Sequence, residues 1–138
     1  MIVDTSALVA IVYQEKGYEP IMTALAMDPS ALRIPAPVLV ELNRVTAFDD
    51  NSPHPDAEAL VRSLVASGAN ITPFDEKMAS AAARANVKYG TGNGLGGLLN
   101  MLDLMVYAAA DTMELEILCT GADYPSTDAK IHPASRPE

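Results

Sequence analysis

The sequence predicts an α/β fold built on a mostly parallel sheet covered by helices on both faces, and three observations carry this reading. Short apolar runs (Ile2-Val3, Arg33-Ile34-Pro35, Ala69 to Pro73 and Glu116 to Cys119) recur along the chain. Each of the first three leads into stretches whose apolar residues return at helical spacing. Strands alternating with helices require crossovers over the sheet faces, which makes the strands parallel neighbours. At 138 residues, nearly half of them apolar, the chain is one domain of ordinary size with enough material for a core.

The elements follow in order. The opening Ile2-Val3 run delivers Asp4 to the start of a helix that continues to about Gln14-Glu15. Gly17 separates it from a helix over Tyr18 to Met27, stopped by Asp28-Pro29-Ser30. After the Arg33-Ile34-Pro35 strand, Pro37 suits the first turn of a helix reaching Phe48, because its missing N–H has no partner there anyway. A polar, proline-rich loop over Asp49 to Pro55 leads to Asp56, the expected cap of a helix over Ala57 to Ser67 closed by Gly68. Following the third strand, Asp75 caps an alanine-rich helix that ends near Tyr89. Five of the eight glycines fall between Gly90 and Gly97, which predicts a mobile loop near the functional site. A helix over Met101 to Met113 and the last strand complete the domain, taken as residues 1–131, with 132–138 as a flexible tail. The formal G-x-G-x-x-G from Gly92 to Gly97 follows a helix, not a strand, and so lacks the setting of a dinucleotide site.

Composition narrows the function. No apolar run approaches the length needed to cross a bilayer, no signal peptide is legible, and one cysteine, Cys119, suits a reducing cytoplasm. A formal charge of −9 opposes a broad basic nucleic-acid footprint and favours metal cations or basic partner segments. His54 and His132 read as isolated surface residues beside prolines, and Tyr13, Met22, Leu25 and Met27 as apolar residues in excess of the core, available to a dimer or partner surface.

The placement of acids carries the most information. Asp4 and Asp123 each follow the carboxyl end of a predicted strand, the edge at which open α/β sheets bind ligands. Glu41 shares a helical stripe with Val38, Val45 and Phe48, and Asp103 with Val106, Tyr107 and Ala110. Each acid has a structural explanation of its own: Asp4 as a helix cap, Asp103 in a capping box with Asn100, Asp123 in an Asx turn, and Glu41 at the edge of its stripe. Together the four can share one end of the sheet, where their mutual repulsion calls for a divalent cation. Oxygen ligands without histidine or cysteine select Mg²⁺ or Mn²⁺ over zinc.

Those same segments, Ile2-Val3-Asp4-Thr5-Ser6-Ala7, Leu39-Val40-Glu41-Leu42, Leu99 to Asp103 and Thr120-Gly121-Ala122-Asp123-Tyr124, resemble the acidic motifs of PIN-domain ribonucleases. They are most similar to the VapC toxins of type II toxin–antitoxin pairs. The resemblance runs from Ile2 to about Ile131 and implies a three-layer α/β/α sandwich, a Mg²⁺- or Mn²⁺-dependent endoribonuclease, a homodimer and a cognate antitoxin. Carried over, Asp4, Glu41, Asp103 and Asp123 match the acidic quartet, and Thr5 and Ser6 the hydroxyl pair beside the first acid. Asp4, Asp103 and Asp123 are then the metal ligands, while Glu41 either joins them or orients the attacking water. Asp128 matches a further downstream acid. The chain departs from the family pattern at Leu102, usually glycine, at Thr120, often basic, and in the uncharged loop over Gly90 to Leu99. These departures touch RNA affinity and substrate choice, not the acids.

RNA needs cations on this acidic chain, and Lys77, Arg84 and Lys88 share one face of their helix, with Arg44 and Arg62 as lesser candidates. Competing readings are a non-catalytic module that grips a basic antitoxin, a PIN nuclease of RNA maturation, and an Asp-based phosphatase. Ser6, standing where that phosphatase class carries a second aspartate, argues against the last.

Overall fold

The structure, a computed structural model, describes residues 1–136. Its elements are β1 (Ile2–Val3), α1 (Thr5–Val12), α2 (Tyr18–Met27), β2 (Arg33–Pro35), α3 (Ala36–Thr46), α4 (Pro55–Ala66), β3 (Asn70–Thr72), α5 (Glu76–Tyr89), α6 (Met101–Met113) and β4 (Ile117–Leu118). The four strands form one parallel sheet in the order β3-β2-β1-β4, with Ile2 level with Arg33 on one side and Ile117 on the other. Ile2, Val3, Ile117 and Leu118 are fully buried. Successive strand residues point to opposite faces, so burial of both members of each pair means that both faces of the sheet are covered. Helix α1 packs on α2, α3 and α4, α3 also meets α4 and α6, and α5 packs along α6. The predicted α/β architecture is therefore the observed one.

The chain passes from β1 to β2 and β3 on one side, then returns to place β4 on the other side of β1. The switch point accordingly lies between β1 and β4, whose carboxyl ends deliver Asp4 and the segment from Thr120 to Tyr124. A crevice opens at such a point because the crossovers leave it in opposite directions.

Several local expectations change. The first helix stops at Val12, with Gln14 at φ 48°, and Gly17 (φ +84°) opens α2 in a conformation that favours glycine. α4 is capped by His54, not Asp56: the ring Nδ1 accepts from the Asp56 N–H at 3.1 Å. His54 also stacks on Phe48 and meets Tyr13 edge-on, so it organises the loop instead of standing free. Leu25 belongs to the core, whereas Tyr13, Met22 and Met27 are exposed.

The glycine segment is tied by Asn93. Its Oδ1 accepts from Leu95 N–H (2.7 Å) and Gly97 N–H (3.2 Å), and its Nδ2 donates to Val87 O. Backbone bonds between Thr91 and Leu99 and between Leu99 and Tyr89 close its base.

Residues 132–136 differ most from expectation. The free tail is replaced by a segment parallel to β4: His132 N–H donates to Ile117 O, Arg136 N–H to Cys119 O and Gly121 N–H to Arg136 O. Proline and polar composition suggested fraying, but these donors and acceptors cover the outer edge of β4, which would otherwise be an open ladder. Residues 137 and 138 of the expected tail lie outside the described residues.

Candidate active site

Asp4 ends β1 with extended backbone and caps α1, its Oδ2 accepting from Ser6 N–H at 3.0 Å and from Ser6 Oγ–H at 2.5 Å. The same Ser6 hydroxyl accepts from Thr120 N–H at 3.0 Å, so one side chain ties Asp4 to the segment that leaves β4. Asp103 lies in the first turn of α6 in the anticipated capping box: Asn100 N–H donates to its Oδ2 (3.0 Å), and its own N–H to Asn100 Oδ1 (2.9 Å). Capping thus explains the conformations of both acids without removing them from the site. Asp123 is exposed and makes no Asx turn. Its carbonyl, not its carboxylate, accepts from Ser126 Oγ, because the chain enters a 3-10 turn at Tyr124. Glu41 is half-buried on α3.

These four acids line one cavity of about 310 Å³ together with Thr5, Ser6, Val9, Glu15, Val45, Thr120 and Tyr124. Tyr124, which sequence reasoning passed over, is its most informative member. Its ring is only 2% exposed, and its hydroxyl lies 2.7 Å from Asp4 Oδ1 and 3.3 Å from Asp103 Oδ1. A buried tyrosine needs a partner for its O–H, and adjacency to a motif acid was the available signal. Glu15 was also missed: it pairs with Arg136 Nη2 at 3.5 Å, and Arg136 Nη1 donates to Lys16 O.

Electrostatics register the convergence. Burial pushes the Asp103 carboxyl up to about 6; the Asn100 N–H opposes this, while the charges of Asp4, Asp123 and Glu41 add to it. Burial, followed by the charges of Asp4 and Asp103, raises the Tyr124 phenol well above its ordinary range, so it serves as a donor. Burial and the Asp4 charge raise the Cys119 thiol to about 12, leaving it inert.

The donors fit a hard divalent cation: carboxylates and hydroxyls only, with Thr5 Oγ1 buried and unpartnered among the described residues. Among those residues no three acidic, imidazole or thiol groups are yet drawn around one point. The acids face a common space in which Tyr124 holds two of them.

Lys77, Arg84 and Lys88 are exposed on α5, and none lines the cavity. Asp128 also lies apart from the quartet. It accepts a hydrogen bond from the Tyr107 hydroxyl and lines a separate hollow with Asp111, Glu114 and Lys130. No helix among the described residues is long and apolar enough to cross a membrane.

Comparisons with known proteins bear on the fold and the family. The chain is 38% identical to ribonuclease VapC42 of Mycobacterium tuberculosis, over 97% of its own length and 98% of the relative's. It is 32% identical to ribonuclease VapC36 of the same species, over 95% and 92%. In fold it is similar to the crystal structure of M. tuberculosis VapC20, titled a sarcin-ricin loop cleaving toxin, with a TM-score of 0.72, 14% identity and coverage of 93% and 95%. A toxin–antitoxin complex from Klebsiella pneumoniae follows at TM-score 0.67, 16% identity and 96% of both chains. The PIN domain model matches residues 1–130. An acidic cavity at the switch point of a parallel sheet, in a chain matched by that model almost throughout, belongs to a member of the PIN-domain family.

Proposed function

We propose that this chain is a Mg²⁺- or Mn²⁺-dependent endoribonuclease acting in the cytoplasm as the toxin of a type II toxin–antitoxin pair. The observation that carries the reading is the oxygen-only cavity shared by Asp4, Glu41, Asp103 and Asp123. The naming of VapC42 as a ribonuclease supports the chemistry, and the Klebsiella complex supports an antitoxin partner. Exposed Tyr13, Met22 and Met27 offer apolar surface for that antitoxin or for a homodimer.

Asp4, Asp103 and Asp123 would hold the cation, which when bound supplies positive charge against the phosphate oxygens and water of lowered pKa. The chain's own groups set the rest. Ser6 locks the Asp4 carboxylate through two donors and is itself fixed by Thr120. Glu41 is half-buried and lines the cavity, which leaves its carboxylate available to orient the attacking water or to join the ligands. Thr5 Oγ1 is a buried hydroxyl with capacity for a ligand or phosphate oxygen. Lys77, Arg84 and Lys88 act at a distance from the cavity, guiding the RNA backbone as phosphate contacts and not as base readers.

Cleavage of total RNA tests this directly. Wild-type protein is expected to cut with Mn²⁺ or Mg²⁺ and not in EDTA. Asp4→Asn and Asp103→Asn should each lose about a hundredfold or more while keeping their circular dichroism. Cleavage that persists in EDTA would overturn the metal dependence, cleavage that persists in both variants would remove these acids from the chemistry, and a wild type that cuts no RNA would leave a binding module.

A further inference from the structure

Tyr124 is a buried side chain whose polar atom sits between two members of the acidic quartet. Its hydroxyl carries a single proton, which Asp4 Oδ1 at 2.7 Å and Asp103 Oδ1 at 3.3 Å share unequally. The remaining oxygens of both carboxylates are already engaged: Asp4 Oδ2 with the two Ser6 donors, Asp103 Oδ2 with Asn100 N–H. The Oδ1 atoms are therefore the natural ligands left for a cation, and both point at the tyrosine. The acids are not drawn around a single point, while the hydroxyl of buried Thr5, on the same cavity wall, has no partner.

We propose that the Tyr124 hydroxyl is a stand-in for the cation: it tethers Asp4 and Asp103 in the metal-free protein, and a divalent ion binds by displacing it from their Oδ1 atoms. This rests on the metal-dependent reading above and adds a residue that sets the affinity. The hydroxyl offers one proton where the ion offers two full charges, so it eases the repulsion between the two acids only in part. It also holds the pair close enough to be captured. The 3-10 turn that carries Tyr124 follows Gly121 (φ +87°) and is closed by Ser126 Oγ on Asp123 O and by Thr127 Oγ1 on Tyr124 O, so the ring keeps its place while its hydroxyl changes partner. Tyr124 is then a positioning residue, acting through the ligands rather than on RNA.

The test compares wild type with Tyr124→Phe, both stripped of metal by chelator, in Mn²⁺ titrations followed by electron paramagnetic resonance of the free ion. Tyr124→Phe removes the competitor, so Mn²⁺ should bind about tenfold more tightly, the size expected for one hydrogen bond to a charged group. In EDTA the variant should melt below wild type, and saturating Mn²⁺ should close most of that gap. A purely structural tyrosine would leave the gap unchanged. A second measurement uses wild type alone: adding Mg²⁺ should produce a tyrosine near-ultraviolet difference spectrum as the Tyr124 hydroxyl changes partner. Unchanged or weaker Mn²⁺ binding in Tyr124→Phe, a melting gap that persists in metal, or no tyrosine difference spectrum in a wild type that binds the ion would overturn the proposal. Asp103→Asn separates the two layers of inference. If wild type binds Mn²⁺ and Asp103→Asn does not, failure of the Tyr124 result sinks only the stand-in. If wild type takes up no Mn²⁺ at all, the metal-dependent reading goes with it.

Discussion

Two tyrosines in this molecule do the same thing in different company. Tyr124 donates to Asp4 and faces Asp103, whereas Tyr107, on α6, donates to Asp128. Burial raises both phenols above their ordinary range, and neighbouring carboxylates raise them further. The difference lies in the acceptors. Asp4 is buried, Asp103 half-buried, and both belong to a group of four acids around one cavity. Asp128 is exposed, and the hollow it lines includes Lys130. One hydrogen bond relieves a crowd of like charges; the other fastens the segment after β4 to α6. Geometry alone would call them equivalent, and electrostatics separates them.

Removing charge from the crowd should therefore produce the largest change. Asp103 binds its proton more readily in the folded chain than in the unfolded one, since its carboxyl is raised from 3.8 to about 6. Between those values the native state holds the extra proton, so stability falls as pH rises through the window and stays low above it. At about 1.4 kcal/mol for each pH unit, the penalty at pH 7 is on the order of 3 kcal/mol before solvent screening of this half-buried carboxylate reduces it. Asp103→Asn keeps an oxygen for the Asn100 cap while discarding the charge. In EDTA it should be more stable than wild type at pH 7, by roughly half that figure because solvent screens a part-exposed carboxylate, and its stability should be flat where wild type declines. Urea unfolding from pH 4 to 8 measures both. A variant that is no more stable would mean that neither burial nor the neighbouring acids press on the Asp103 carboxylate.

Much of this site was legible because burying acids beside apolar residues leaves a mark. Ile2-Val3 running into Asp4 marks a buried strand that hands an acid to a helix start, and Glu41 and Asp103 on apolar stripes mark carboxylates facing inward. What sequence could not supply was which local role excludes which. The caps at Asp4 and Asp103 are real, and the same backbone turns that need them aim their carboxylates at the cavity. Tyr124 drew no role from its place beside Asp123 because nothing in a linear chain tells where its hydroxyl ends. Asp123 and Asp128 stand five residues apart, yet the intervening 3-10 turn separates them, one to the cavity and one to Tyr107. His54 was missed as a cap since imidazole is rare in that role, and residues 132–136 looked free because their order rests on backbone bonds to β4, which side-chain composition does not encode.

The second expectation concerns the isolated pair. Tyr107→Phe deletes the hydroxyl but keeps a ring packed 5.5 Å from that of Tyr89. It leaves Asp128 free to be hydrated, so the cost should be about 1 kcal/mol, the net worth of an ordinary hydrogen bond and below the range for one to a charged group. The loss should be identical in EDTA and in saturating Mn²⁺, since Asp128 lies outside the acidic cavity. Thermal melts under the two conditions decide it. A loss that metal repairs would join the two tyrosines into one system.

The smallest effect should come from Asp128→Asn, and it tests the contrast most directly. The asparagine Oδ1 can still accept from Tyr107, and the acid it replaces is exposed, so the change in stability should stay within about 0.5 kcal/mol with no new pH dependence. The same chemical step, aspartate to asparagine, thus gives a large gain at Asp103 and almost none at Asp128. The motif resemblance counted Asp128 as a further acid, so RNA cleavage by Asp128→Asn is the sharper readout. A residue that holds Tyr107 and lines another hollow should leave the rate close to wild type. A hundredfold fall would mean that the segment after β4 turns its carboxylate toward the cavity when RNA binds, and that Tyr107, like Tyr124, holds an acid in waiting.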